Sequence, residues 1–238
     1  MTQGELLYSG KAKTIYLSDK PDELIVSFRD DITAFDGGKK DQLEGKGASN
    51  ADVSAFLFQL LEKGGVPTHF IRMEDPITMR VKRLSMIPLE VIVRNRAAGS
   101  IVRRYPFIEG HIFEKPIIAI DYKDDSRNDP MVNDDIIIAL GLMTQEEIQT
   151  VRAEALRINE VLKNFFDSIG IDLVDFKVEF GRYNDQILLG DEISMDSMRL
   201  WEKGTQTSLD KDVYRFGKGD VMEAYRAVTG RITGSGKL

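Results

Sequence analysis

Polar and apolar residues alternate through LVDFKVEFG, Leu173 to Gly181, with the period of a strand. Val174, Phe176, Val178 and Phe180 fall on one face, and Asp175, Lys177 and Glu179 on the other. A turn at Asn184-Asp185 leads into QILLGDEI, which predicts a returning strand and hence a hairpin. A loop with an odd number of residues would set Glu179 directly opposite Asp191. In the first third of the chain, LLYSG, KTIYL and LIVSF predict an antiparallel start, followed by strands near 69–73 and 77–84. Between them lies a glycine- and charge-rich stretch, Ile32 to Gly47, read as a mobile loop, and then a helix capped by Ser49 or Asn50. Its apolar positions Val53, Phe56, Leu57, Leu60 and Leu61 keep helical spacing up to Gly64-Gly65. PLEVIVR and IIAID predict strands of a second sheet. The acidic stretch Asp124 to Asp135 predicts a loop. Thr144 with Glu147 three residues on predicts the capped start of a long helix, whose stripe runs from Ile148 to Ile169. A last helix is expected over about 220–228.

Composition removes several classes of function. The chain has 238 residues and can bury a substantial core as one large domain or two lobes. Its formal net charge of −7 argues against nonspecific nucleic-acid binding, whereas local clusters of basic residues suit a small anion. The absence of cysteine excludes disulfides, thiolate catalysis and cysteine-ligated zinc. No apolar run approaches the length of a membrane span, so a soluble cytoplasmic protein is the default expectation. Two histidines, His69 and His111, with no nucleophile elbow or HExxH, leave triad and zinc-peptidase chemistry without support, and both read as structural.

Three places carry candidate chemistry. Glu179 and Asp191 together with Lys177 would form a magnesium–phosphate site, the alternative being a solvated charged sheet face. Lys11, Ala12 and Lys13 follow Gly10 at a hairpin turn, where two ammonium groups could hold a polyphosphate or simply meet solvent. In IPLEVIVRNRAAGS a strand ending at Arg94 runs into Asn95-Arg96, and Ala97-Ala98-Gly99-Ser100 then begins a short helix. That geometry offers helix N–H groups, a hydroxyl and guanidinium forks to one anion, the alternative being a surface with several solvated arginines. GKGASN at 45–50 fails as a dinucleotide fingerprint, because Asn50 stands at the third glycine position.

IPLEVIVRNRAAGS and LVDFKVEFG resemble the two signature segments of the SAICAR synthetases of purine biosynthesis. LYSGKAKTIY, the Asp36-Gly37 loop, NDPMVND, LLGDEIS and Arg199-Leu200-Trp201 follow the same order as in that family, so the likeness spans nearly the whole chain. The resemblance implies a two-lobed α+β fold. A strand-rich, kinase-like N-terminal lobe (1–84) and a larger α/β C-terminal lobe (85–238) would hold ATP in the cleft between them. It implies an ATP-dependent ligase that joins CAIR to L-aspartate, giving SAICAR, ADP and phosphate, with the carboxylate first activated as an acyl phosphate. By the same likeness Lys11, Ala12, Lys13 and Lys82 would contact ATP, and Glu179 and Asp191 would hold Mg2+. Arg94, Ser100, Arg199 and Arg215 would grip the ribose phosphate, and Asp175, Lys177, Lys123 and Asp36 would line the reacting centre. A homodimer is also implied. The aspartate pocket has no readable signature, and the Ile32–Gly47 loop is a candidate for closing over it. A phosphotransferase that forms no amide, or a nucleotide-sensing module without turnover, are the rival readings.

Overall fold

The computed structural model describes residues 4–34 and 38–236. Strands β1 (Leu6–Ser9), β2 (Lys13–Leu17) and β3 (Glu23–Phe28) open the chain as an antiparallel meander. A two-stranded hairpin, β4 (Asp31–Ala34) and β5 (Lys39–Gln42), occupies part of the stretch expected as loop. Helix α1 (Lys46–Lys63) follows. It starts earlier than expected, because Gly45 takes the left-handed cap position and the Asp30 carboxylate accepts the Gly45 and Gly47 N–H groups. Ser49 and Asn50 are therefore interior residues of the helix, and it stops at Gly64 as its pattern predicts. Strands β6 (Phe70–Asp75) and β7 (Thr78–Lys82) complete a five-stranded sheet in the order β1-β2-β3-β7-β6.

The second sheet has six strands: β8 (Ser85–Met86), β9 (Leu89–Arg96), β10 (Ile112–Tyr122), β11 (Ile171–Tyr183), β12 (Gln186–Gly190) and β13 (Met198–Glu202). A short helix α2 (Ser100–Arg104) follows β9, as the sequence predicts, although β9 itself runs two residues past Arg94. The acidic stretch expected as loop holds a short 3-10 turn at Asp125–Arg127 and leads into α3 (Asp134–Ala139), capped by Asn133. Helix α4 (Gln145–Ser168) begins with the expected capping box between Thr144 and Glu147, and its buried stripe packs on β11. α5 (Asp212–Phe216) and α6 (Val221–Thr233) end the described chain, with α6 packed on α1. Among the described residues no helix is long and apolar enough to cross a membrane.

β11 organises the second sheet. Its first half lies between β13 and β9, and its second half between β12 and β8. A bulge between Leu173 and Asp175 shifts the alternation, so Leu173 joins Phe176, Val178 and Phe180 in the main core. Val174 instead packs with Ala98 and Trp201. The β11–β12 turn contains Asn184 and Asp185 alone, both at positive φ, which gives an even loop and sets Glu179 opposite Gly190. The expected Glu179–Asp191 register pair does not form. Asp191 lies just beyond the strand in the left-handed region at φ 60°.

Candidate active site

Two cavities meet in the middle of the molecule. The first, of about 690 Å3, lies between the two sheets. Its walls include Ile15, Leu24, Val26, Val81, Leu84 and Met86, and its polar end holds Lys11, Ala12, Lys13, Lys82, Lys123, Lys177, Glu179 and Asp191. The second, of about 700 Å3, is lined by Arg94, Ser100, Asp175, Lys177, Arg199 and Arg215. Both are bordered by Glu90, Lys177, Asp196, Ser197 and Lys211. One strand supplies the link, because alternation along β11 sends Asp175 to the second cavity, Glu179 to the first and Lys177 to both.

At the carboxylate end, register is not what brings the groups together. The left-handed turn at Asp191 carries its carboxylate into the same pocket as Glu179, where its charge acts on the Glu179 ionisation. Lys123 donates to both Glu179 oxygens at 2.6 and 2.7 Å, and Lys177 to one of them at 3.1 Å. Burial and the Asp191 charge still push the Glu179 pKa up. Burial acts the same way on Asp191, but Lys13, Lys177 and Lys123 outweigh it and hold that pKa well below the ordinary carboxylate value. Lys13 is paired with Asp191 and also with Glu192, which sequence reasoning missed. Burial opposes the Lys177 charge, yet Glu179, Glu90 and Asp191 raise its pKa above that of a free lysine. Glu90 is the closest of these partners, at 2.6 Å across the β9–β11 pair. Of the remaining expected contacts, Lys82 donates to the Thr68 carbonyl at 3.0 Å, and Lys11 reaches the exposed Asp125 at 3.4 Å. Asp36 lies outside the described residues.

The pair Glu179–Asp191 fits a magnesium ion brought by a polyphosphate. Among the described residues no group of three or more acidic or histidine side chains forms a metal cage. Mg2+ is commonly held by only one or two carboxylates, with phosphate oxygens and water completing its shell. A buried carboxylate, Glu179, and a half-buried one, Asp191, whose charges repel at the end of a lysine-lined cleft, suit that arrangement.

The second cavity has a floor of alternating charges. Arg94 donates to Asp175 at 2.6 Å and to the Ser100 hydroxyl at 2.9 Å. Arg199 donates to Asp175 at 2.8 and 3.1 Å and to Asp212 at 2.9 Å, and Arg215 pairs with Asp212. Asp175 is 3 % exposed and clamped between two guanidinium groups in the wall of the second cavity, which Lys177 also lines. Gly99, at φ 66°, lets the Arg199 guanidinium lie against its backbone, where a Cβ would stand 2.4 Å from a guanidinium nitrogen. Asp212 was not read as functional from the sequence, although its i,i+3 spacing to Arg215 is a usable signal. Lys46 and Asp196, buried and 2.6 Å apart, were also missed. Nothing local in the sequence marks that pair, which joins α1 to a distant loop. Of the two histidines, His69 borders the first cavity and packs edge-on against Phe58, and His111 lies among Phe107 and Phe113. Burial lowers the His69 pKa to about 3.

The SAICAR synthetase family model matches residues 6–232. The chain belongs to the SAICAR synthetase family. It is 62 % identical to a phosphoribosylaminoimidazole-succinocarboxamide synthase of Methanoculleus marisnigri, over 98 % of this chain and 96 % of that protein. A solved SAICAR synthetase in complex with ADP is 47 % identical and superposes with a TM-score of 0.94, covering 97 % of this chain and 98 % of the other. The corresponding enzyme from Ehrlichia chaffeensis is 41 % identical, also with a TM-score of 0.94, over 96 % and 98 % of the two chains. The α+β architecture, with its two large antiparallel sheets, is thus that of the family.

Proposed function

We propose that this chain is an ATP-dependent carbon–nitrogen ligase that condenses CAIR with L-aspartate, giving SAICAR, ADP and phosphate in purine biosynthesis. The observation that carries the reading is the meeting of two anion-binding cavities at Lys177. One has apolar walls for a base and lysines for a polyphosphate, and the other has Arg94, Arg199 and Arg215 for a sugar phosphate. A lobe boundary between residues 84 and 85 belongs to this reading, because the strands of the two sheets divide there.

In this proposal adenine lies against the apolar walls of the first cavity, and Lys11, Lys13 and Lys82 neutralise the phosphates with the Ala12 backbone alongside. Arg94, Ser100, Arg199 and Arg215 hold the ribose phosphate, which directs the imidazole carboxylate toward Lys177. An oxygen of that carboxylate attacks the γ-phosphorus, the new O–P bond forms and ADP leaves. Lys177 and Lys123 stabilise charge on the transferring phosphoryl group. The amine of aspartate then attacks the activated carbonyl carbon, the C–N bond forms, phosphate leaves with the electron pair of the C–O bond, and the amine proton passes to a base. By family likeness Asp36 would line the reacting centre with Lys177 and Lys123. Mg2+, held by Glu179 and Asp191, would supply further neutralisation of the polyphosphate. Asp175 acts through the arginines it positions. Homodimeric assembly, implied by the resemblance, and a cytoplasmic location, the default expectation from the sequence, complete the proposal.

Incubation with ATP, Mg2+, CAIR and L-aspartate, followed by mass analysis, tests the reading. An amide of the mass of SAICAR, formed together with ADP, is expected. A stable phosphorylated CAIR with no amide would make the chain a phosphotransferase instead.

A further inference from the structure

The reaction must hold four sets of anions, and the groups described above account for three of them. Lys11, Lys13 and Lys82 face the polyphosphate, Lys177 and Lys123 the transferring phosphoryl group, and three arginines the sugar phosphate. The carboxylates of the amino-acid substrate have no partner in this scheme.

Lys211 is the cation left over. It borders both cavities at their junction, the place an amine must reach to attack a carboxyl group activated beside Lys177. Among the described residues its Nζ has no hydrogen bond and no ion pair within 4 Å. The carboxylates that act on it are Asp196 and Glu192, and each is already engaged. Asp196 is paired with Lys46 and accepts from the Tyr225 hydroxyl at 2.6 Å, while Glu192 is paired with Lys13. Burial lowers the Lys211 pKa, and the neighbouring Lys46 and Arg215 charges add to the effect, so its ammonium lacks the counter-charge that its surroundings call for. By contrast, Arg103 lines only the second cavity and sits exposed on α2.

A second feature marks the same place. The β4–β5 hairpin docks on α5, the helix that follows Lys211. The Tyr214 hydroxyl donates to Asp41 at 2.7 Å, and Lys39 donates to the Tyr214 carbonyl at 2.8 Å with its ammonium 4.0 Å from the Tyr214 ring centre. The segment that carries Lys211 is thus tied to the hairpin expected to close over the amino acid.

We propose that Lys211 is the receptor for a carboxylate of L-aspartate, a role that rests on the ligase reading above. Its ammonium makes a charge-assisted contact at the junction and holds the dicarboxylate with its amine toward the activated carbonyl.

The test compares Lys211→Met and Lys211→Arg with the parent enzyme in steady-state kinetics, each substrate varied in turn. Lys211→Met is expected to raise the KM for L-aspartate roughly ten- to hundredfold, with the KM values for CAIR and ATP changed less than about twofold. Lys211→Arg, which keeps the charge, is expected to recover most of that loss. The discrimination between L-aspartate and L-asparagine should fall in Lys211→Met if the side-chain carboxylate is the one bound, and persist if the α-carboxylate is. Thermal melts of both variants show whether the fold is kept, and an unfolded Lys211→Met leaves the decision to Lys211→Gln. An unchanged aspartate KM, or a parallel rise for CAIR or ATP, overturns the assignment. Failure of the parent enzyme to form any amide would instead overturn the ligase reading on which it stands.

Discussion

Asp175→Asn removes one charge from the floor of the sugar-phosphate pocket and almost no volume. In the parent chain the Asp175 carboxylate takes one N–H from Arg94 at 2.6 Å and two contacts from Arg199 at 2.8 and 3.1 Å, all in a largely buried setting. The variant leaves the buried Arg94 and the half-buried Arg199 guanidinium groups facing a neutral amide that can accept only part of their hydrogen bonds. Removing one partner of a buried ion pair costs about 3–5 kcal/mol, because the other charge stays desolvated. For a chain of this length, each kcal/mol moves the melting temperature by roughly 2–4 °C, so a fall of about 6–20 °C is expected. Ribose 5-phosphate brings a dianion to the same two arginines. It should therefore raise the melting temperature of Asp175→Asn by more than it raises that of the parent. The assay is a pair of thermal melts with and without the sugar phosphate, supported by a urea titration at fixed temperature. A loss below about 1 kcal/mol, or equal stabilisation of both proteins by the ligand, would refute the account of Asp175 as a clamp on the arginines.

Two further outcomes are expected. Asp191→Asn and Glu179→Gln should each raise the Mg2+ needed for half-maximal turnover about tenfold or more. Asn tolerates the positive φ at position 191, so the backbone is kept; unchanged Mg2+ dependence in both variants would remove the carboxylate pair as the metal site. His69 is neutral when folded and its pKa lies near 3 against an ordinary 6.5, so the unfolded chain binds the extra proton between those values. Its contribution is present above about pH 6.5 and is lost progressively as pH falls toward 3, by up to about 4–5 kcal/mol. Urea midpoints of the parent and His69→Gln, compared between pH 4 and 7, should show the flatter profile in the variant; parallel profiles would contradict it.

The elements legible in the sequence are those fixed by local chemistry. Thr144 and Glu147 form the capping box because both partners lie within one turn, and Gly64 stops α1 where its pattern ends. Asp175, Lys177 and Glu179 line cavities because alternation on a strand with one buried face leaves them little choice. What escaped depends on parity and distance. Both Asn184 and Asp185 adopt positive φ, which permits a two-residue turn and moves the register by one, so Gly190 and not Asp191 faces Glu179. The carboxylates meet through the backbone turn at Asp191, a conformation the residue type allows but does not announce. The start of α1 was misplaced because its N–H groups are capped by Asp30, 15 and 17 residues before the groups it accepts. Lys46–Asp196 and the unpaired Lys211 are tertiary facts of the same kind.

The central claim is that a carboxylate seated over the arginine pocket takes the γ-phosphoryl group of ATP before the amide forms. The most direct measurement labels the carboxylate oxygens of CAIR with oxygen-18 and follows the label through one turnover with ATP and L-aspartate. One labelled oxygen should appear in the released inorganic phosphate for each amide made, and the product carbonyl should keep the other. Amide formation with unlabelled phosphate would contradict the account.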